Sequence, residues 1–94
     1  MTKFLGNAFS LQMLEGDALV SVKEVDNANL NDFTSVVGHE DTAKVLGVPF
    51  NRASVTLKKG DELLVAQLTG GRLPEGSTTL PEGFKFKFML VSIL

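Results

Sequence analysis

Between Glu62 and Thr69 stand Leu63, Leu64, Val65, Ala66 and Leu68, interrupted only by Gln67, and no other stretch constrains the fold as strongly. Side chains on a strand point alternately to two faces, so a strand apolar on both must be covered on both. It belongs in the middle of a sheet. Gln67 is the exception, either because a neighbouring strand satisfies its amide or because it faces a site. Upstream, Ala53, Val55 and Leu57 alternate with Ser54, Thr56 and Lys58. That pattern predicts a strand with one covered face over 51–58, turned at Lys59-Gly60 into the central strand as a hairpin. Downstream, Phe84, Phe86, Phe88 and Leu90 alternate with Lys85 and Lys87 before the chain becomes uniformly apolar. This reads as a long last strand, half exposed at its start and buried at its end.

Earlier in the chain, residues 3–8 read as a first strand ending at Asn7. Over 9–14 the polar Ser10 and Gln12 interrupt Phe9, Leu11, Met13 and Leu14, the pattern either of a strand entering a loop with local hydrogen bonds or of a loop that presents Asn7, Ser10 and Gln12 to a ligand. Glu15-Gly16-Asp17 is a turn, 18–25 alternates as a second strand, and 26–32 is a turn or one loose helical turn before Phe33 returns to the core. Val36-Val37 reads as a strand end. Glu40 and Asp41 then suit a first helical turn, which Gly47 and Pro49 stop. The unit Leu-Pro-Glu-Gly occurs at 73 and again at 80, with Pro second and Gly fourth as in a type I turn. The count is about five strands, one clear helix and one or two short ones. The expected class is α/β or α+β, a single mixed sheet flanked by a few short helices, with 1–94 forming one domain.

With 94 residues, 44% of them apolar, the chain can bury a core without a disulfide or metal staple. The absence of Cys removes thiolate chemistry and Cys-based zinc sites, and fits a reducing cytoplasm. The early Lys3-Phe4-Leu5-Gly6-Asn7 breaks off too soon for a secretory signal, and no apolar run approaches the ~20 residues of a membrane span. A formal net charge of −2 argues against a broad basic face for duplex DNA.

The one histidine, His39, follows Gly38 at the expected helix start, where unpaired N–H groups beside an imidazole would welcome a phosphate. One His, no Cys and no tight carboxylate cluster supply too few ligands for zinc. Ser10 or Ser35 could enter a Ser-His-Asp arrangement, but no Gly-x-Ser-x-Gly elbow is present. The glycines at 70, 71 and 76 match neither phosphate-loop fingerprint. What remains suits phosphodiester chemistry: His39, Arg52, Arg72, Glu75 and the amides Asn7, Gln12 and Gln67. Only two of the nine basic residues are arginines, and each is either a clamp for phosphate oxygens or a member of an ordinary surface ion pair.

The segments Asn7-Ala8-Phe9-Ser10-Leu11-Gln12-Met13-Leu14, Gly38-His39-Glu40-Asp41-Thr42-Ala43, Asn51-Arg52 and Arg72-Leu73-Pro74-Glu75-Gly76 together resemble the small ring nucleases of viral anti-CRISPR and type III CRISPR loci. That family was long described only as a domain of unknown function in archaeal viruses, phages and bacteria. The likeness runs in the same order through nearly the whole chain. It implies a homodimer that binds cyclic tetra-adenylate across its two-fold axis and linearises it without a metal or other cofactor. By the same resemblance His39 is the general acid, Arg72 and Glu75 sit by the scissile phosphate, and Ser10, Arg52 and Gln67 help bind the ring. Where the family's first motif has Asn, this chain has Gln12. Self-cleavage by a ribose 2′-hydroxyl needs only an in-line pose, charge stabilisation and a proton for the leaving oxygen, which these residue types can supply. Two other classes stay open: a protein that only sequesters a nucleotide, and a regulatory interaction module.

Overall fold

In a computed structural model, described over residues 2–26 and 28–94, five strands form one sheet in the order β2-β5-β4-β1-β3. The strands are β1 (Lys3–Gly6), β2 (Val20–Val25), β3 (Thr34–Ser35), β4 (Glu62–Thr69) and β5 (Lys85–Ile93), with one α-helix, α1 (Glu40–Leu46), and short 3-10 turns at Leu11–Met13 and Leu30–Asp32. β4 is central, as its composition requires. It pairs antiparallel with β5 from Glu62↔Ser92 to Thr69↔Lys85 and parallel with β1 from Lys3↔Glu62 to Gly6↔Val65. β5 pairs antiparallel with β2, and β1 parallel with β3, so every strand except β5 runs the same way. The architecture is an α+β fold with a mixed sheet, as expected.

The alternation in β4 divides the core in two. Leu64 and Ala66 pack with Leu5, Val37 and Ala43 under α1, joined by Phe33, Leu46, Phe86, Phe88 and Leu90. Leu63 and Val65 pack on the opposite face with Leu57, Val91 and Ile93 under Phe9, Met13, Leu14 and Val55. Leu5, Leu57, Leu63, Leu64 and Val37 are the largest fully buried side chains. Burial of a Leu or Val contributes roughly 1.5–3 kcal/mol each, which makes β4 and its neighbours the stability centre.

The expected strand over 51–58 does not form. That segment is irregular, with one parallel bridge between Leu57 and Leu14 in which the Leu57 amide donates to Met13 at 2.6 Å. Both edges of β4 are already taken by β1 and β5, so no edge is left for a hairpin with 51–58. Alternation cannot separate a strand from an extended segment that lays Val55 and Leu57 onto a sheet face; Leu57 is buried as expected, while Ala53 is exposed. The fifth strand is instead β3, shorter than the Val36-Val37 strand end implied, with the Val36 amide donating to Leu5 at 2.7 Å just beyond it.

Two turns also differ in frame. The Ser77 amide donates to the Pro74 carbonyl and the Phe84 amide to that of Pro81, both at 3.1 Å, so each turn starts at its proline. Gly76 (φ 80°) and Gly83 (φ 83°) then fall third, where a positive φ marks a type II rather than a type I turn. The loose helical turn expected within 26–32 is the one at Leu30–Asp32, capped by Asn29, whose side chain accepts from the Asn31 amide at 3.1 Å. Asn27, which belongs to the same expectation, lies outside the described residues.

Candidate functional site

The parallel strands β1, β3 and β4 bring their carboxyl ends to one rim, and the segments leaving those ends carry the candidate residues. Ser35 ends β3 and is buried, its hydroxyl donating to the Pro49 carbonyl at 2.6 Å. Asn51 is fastened beside it, its amide donating to Val37 at 2.9 Å and its side-chain nitrogen to the Ser35 carbonyl at 3.2 Å. These bonds deliver Arg52 to Gly38. The Arg52 Nε donates to the Gly38 carbonyl at 3.0 Å, while the Gly38 amide donates to Asn7 Oδ1 at 3.2 Å. Gly38, directly before His39, is thus held at both its amide and its carbonyl by residues on two other segments. Arg52 also lies over the Phe50 ring, 5.5 Å from its centroid.

His39 is the N-cap of α1. Its Nδ1 accepts from the Thr42 amide at 3.3 Å and lies 3.2 Å from the Thr42 hydroxyl. A nitrogen that accepts an amide proton carries none itself, so the ring proton resides on Nε2. Gly47, in the left-handed conformation at φ 74°, ends the helix. The open helix end expected to receive a phosphate is largely occupied: His39 takes the Thr42 amide, and Glu40 and Asp41 place two carboxylates in a first turn of a seven-residue helix.

His39, Arg72 and Glu75 line one open groove of about 480 Å³ together with Asp41, Thr42, Leu68, Gly71 and Leu73. A contiguous recess of about 340 Å³ shares His39, Asp41 and Glu75 and adds Glu40, Lys44, Arg52 and Gly76. The three residues named for chemistry therefore meet, with Arg52 in the adjoining recess, although α1 and the 70–83 loop lie far apart in sequence. Ion pairs among the described residues are Lys44–Glu40 and Lys87–Glu24, so neither arginine is spent in one. Arg52 has its Nε engaged and both terminal nitrogens left to fork onto an anion.

The remaining candidates lie elsewhere. Gln67 is exposed and shares a depression of about 390 Å³ with Asn7, Phe9, Val22, Val65 and Met89. Its neighbour Leu68 lines the His39 groove, and adjacent strand residues face opposite sides, so Gln67 looks out from the other face of the sheet. Asn7 belongs to both surroundings. Ser10 caps the first 3-10 turn, its hydroxyl accepting from the Gln12 amide at 3.2 Å, and both side chains are exposed outside these recesses. Ser10 and Ser35 thus have structural hydrogen-bond partners, and among the described residues no His-Ser hydrogen bond supports a nucleophilic serine. No group of three or more His, Cys, Asp or Glu side chains able to hold a metal occurs among the described residues. The residue that the sequence reading passed over is Asp41, which lines both recesses of the His39 site; its only signal was an acidic side chain two positions after the histidine.

A mixed five-stranded sheet with one short helix, and an exposed rim where an imidazole, two arginines with no ion pair among the described residues and the carboxylates of Glu40, Asp41 and Glu75 line adjoining recesses, defines a small α+β protein. The chain belongs to the STIV B116-like family, whose model it matches over residues 3–87. Among solved structures it is similar to B116 of Sulfolobus turreted icosahedral virus, with a TM-score of 0.78 and 24% sequence identity over 98% of this chain and 99% of that one. At that identity the likeness concerns the fold. The kinship with small archaeal virus proteins drawn from the motifs thus holds at the level of the family. No curated protein matches the sequence. Among the described residues, no helix is long and apolar enough to cross a membrane.

Proposed function

We propose that the protein is a metal-independent ring nuclease that, as a homodimer in the cytoplasm, binds cyclic tetra-adenylate and opens it, switching off type III CRISPR second-messenger signalling. The observation that carries this reading is the meeting of His39, Arg72 and Glu75 in one groove, with Arg52 in the recess beside it. The motif resemblance and the family membership support it. In the reaction a ribose 2′-hydroxyl attacks the adjacent phosphorus, the bond from phosphorus to the 5′-oxygen breaks, and that oxygen takes up a proton. The products carry a 2′,3′-cyclic phosphate and a 5′-hydroxyl.

Arg72 and Arg52 offset the charge that builds on the phosphate oxygens, acting where little water competes once the ring covers the groove. His39 serves the leaving 5′-oxygen. Glu75, at the second position of its turn, is placed beside the scissile phosphate to accept the 2′-hydroxyl proton or to hold the ribose. Asn7, Ser10, Gln12 and Gln67 supply amides and a hydroxyl to the rest of the ring. A non-catalytic sequestering protein is the second reading, favoured by the engagement of the His39 Nδ1 as a helix cap.

The test is incubation of the purified protein with cyclic tetra-adenylate in EDTA, with product ends identified by mass. Linear products with the stated ends are expected, and Arg72→Ala should slow turnover far more than Lys58→Ala, which lies in a turn away from the groove. Intact ring bound without turnover supports sequestration. Activity abolished by the chelator, or equal effects of the two substitutions, overturns the mechanism.

A further inference from the structure

We infer that Asp41 is a positioning residue that docks the loop carrying Arg72 and Glu75 onto the helix turn carrying His39. The inference rests on the ring-opening reading and assigns a role to a residue which that reading does not use. The loop leaves β4 through Gly70 and Gly71, at φ 107° and 130°, a conformation closed to other residues; a Cβ on Gly70 would stand 2.9 Å from the Gly83 carbonyl oxygen. Beyond that base the loop is held mostly by itself: the Ser77 amide and hydroxyl both donate to the Pro74 carbonyl, and the Phe84 amide to Pro81. Among the described residues, the hydrogen bond that ties it to α1 is the one from the Gly76 amide to Asp41 Oδ2, at 3.3 Å. Gly76 directly follows Glu75, so this bond fixes the turn on which Glu75 stands.

The charge of Asp41 sharpens the argument. A carboxylate lining a groove built for phosphate repels its ligand, and its presence there is explained by what it accepts, not by what it attracts. Acceptor and charge can be separated. Asp41→Asn keeps an oxygen for the Gly76 amide and removes the repulsion, whereas Asp41→Ala removes both.

The experiment compares the two variants with wild type by steady-state turnover of cyclic tetra-adenylate and by hydrogen exchange of peptides covering 72–77. Asp41→Ala should lower kcat on the order of 10²-fold through misplacement of Arg72 and Glu75. Its loop amides should exchange at least about tenfold faster. Asp41→Asn should keep kcat within about threefold, keep the exchange protection, and lower KM because the repulsion is gone. Simple loss of fold would affect both variants' kcat without this split. If Asp41→Ala retains kcat, or if Asp41→Asn loses it along with the protection, the positioning role is wrong. Should the wild type itself show no turnover, the ring-opening reading fails alone; loop exchange that accelerates in the Ala variant and not in the Asn variant still upholds the docking, and equal exchange in all three overturns it.

Discussion

On the ring-opening proposal, the His39 ring would serve two demands that conflict. As a cap it accepts from the Thr42 amide at Nδ1; as an acid delivering a proton outright it must first be an imidazolium, whose Nδ1–H can no longer accept. The proton transfer therefore requires the ring to release the cap, or a neutral Nε2–H to stabilise the leaving oxygen by hydrogen bonding until water completes the transfer. Substitution can pull the two demands apart. His39→Ala loses cap and ring, while His39→Asn loses the ring and installs one of the best capping side chains, a difference of roughly 1 kcal/mol. Expected are turnover losses of about 10²- to 10⁴-fold in both. The Asn variant should melt about 4–8 °C above the Ala variant in a chain this size. Appreciable turnover by His39→Asn would remove the ring from the chemistry, and equal melting temperatures would remove the cap. From the sequence His39 was legible as a candidate site residue and Glu40-Asp41 as a helix start, but the ring's capping role was not, because histidine is not among the preferred N-caps.

At the scale of elements, the parts dictated by periodicity were readable and the parts decided by competition for sheet edges were not. β4 and β5 announced themselves through apolar runs too long to be covered on one side, and α1 through its start and stop signals. Residues 51–58 carry the same alternation as a strand, yet β1 and β5 occupy the two edges of β4, a fact about other segments that no local pattern contains. The candidate site has the same limit: His39, Arg72 and Glu75 could be nominated by residue type and resemblance, whereas the Asp41 to Gly76 bond depends on the loop folding back across 35 positions. The turn at 58–61 gives a pH test of local structure. The Asp61 carboxylate accepts the Lys58 amide at 3.0 Å and the Thr2 amide at 3.1 Å, and these bonds hold its pKa below the ordinary carboxylate value. A pKa lowered by folding stabilises the folded state above the unfolded value near ~3.9, and that contribution disappears as pH falls through the lower, folded value. Asp61→Asn, with one acceptor oxygen in place of two, should therefore unfold at lower urea than wild type at neutral pH, and the gap should close in acid below both values. A gap independent of pH would show that the carboxylate charge is not what fastens this turn.

For the whole molecule, the decisive fact is that Gln67 and the His39 groove open on opposite faces of one sheet. A ligand contacting both either wraps the rim near Asn7 or draws the two groups from different subunits. A ring of four phosphates has internal symmetry of its own, and a two-fold dimer offers it two copies of each contact, which a 94-residue subunit has little surface to provide alone. Closure of two subunits around one ring predicts one ring bound per two chains by calorimetry and a dimer by light scattering at micromolar concentration. It predicts a salt response as well. The formal net charge is −2, but in such a dimer two copies of Arg52 and Arg72, none in an ion pair among the described residues, would set the local field that the phosphates meet. Affinity should accordingly fall as salt rises from 50 to 500 mM, because a Debye length of about 10 Å at 0.1 M shrinks toward ~3 Å near 1 M. A monomer that binds one ring per chain would overturn the shared site, and an affinity indifferent to salt would mean that base contacts, not the arginines, hold the ring.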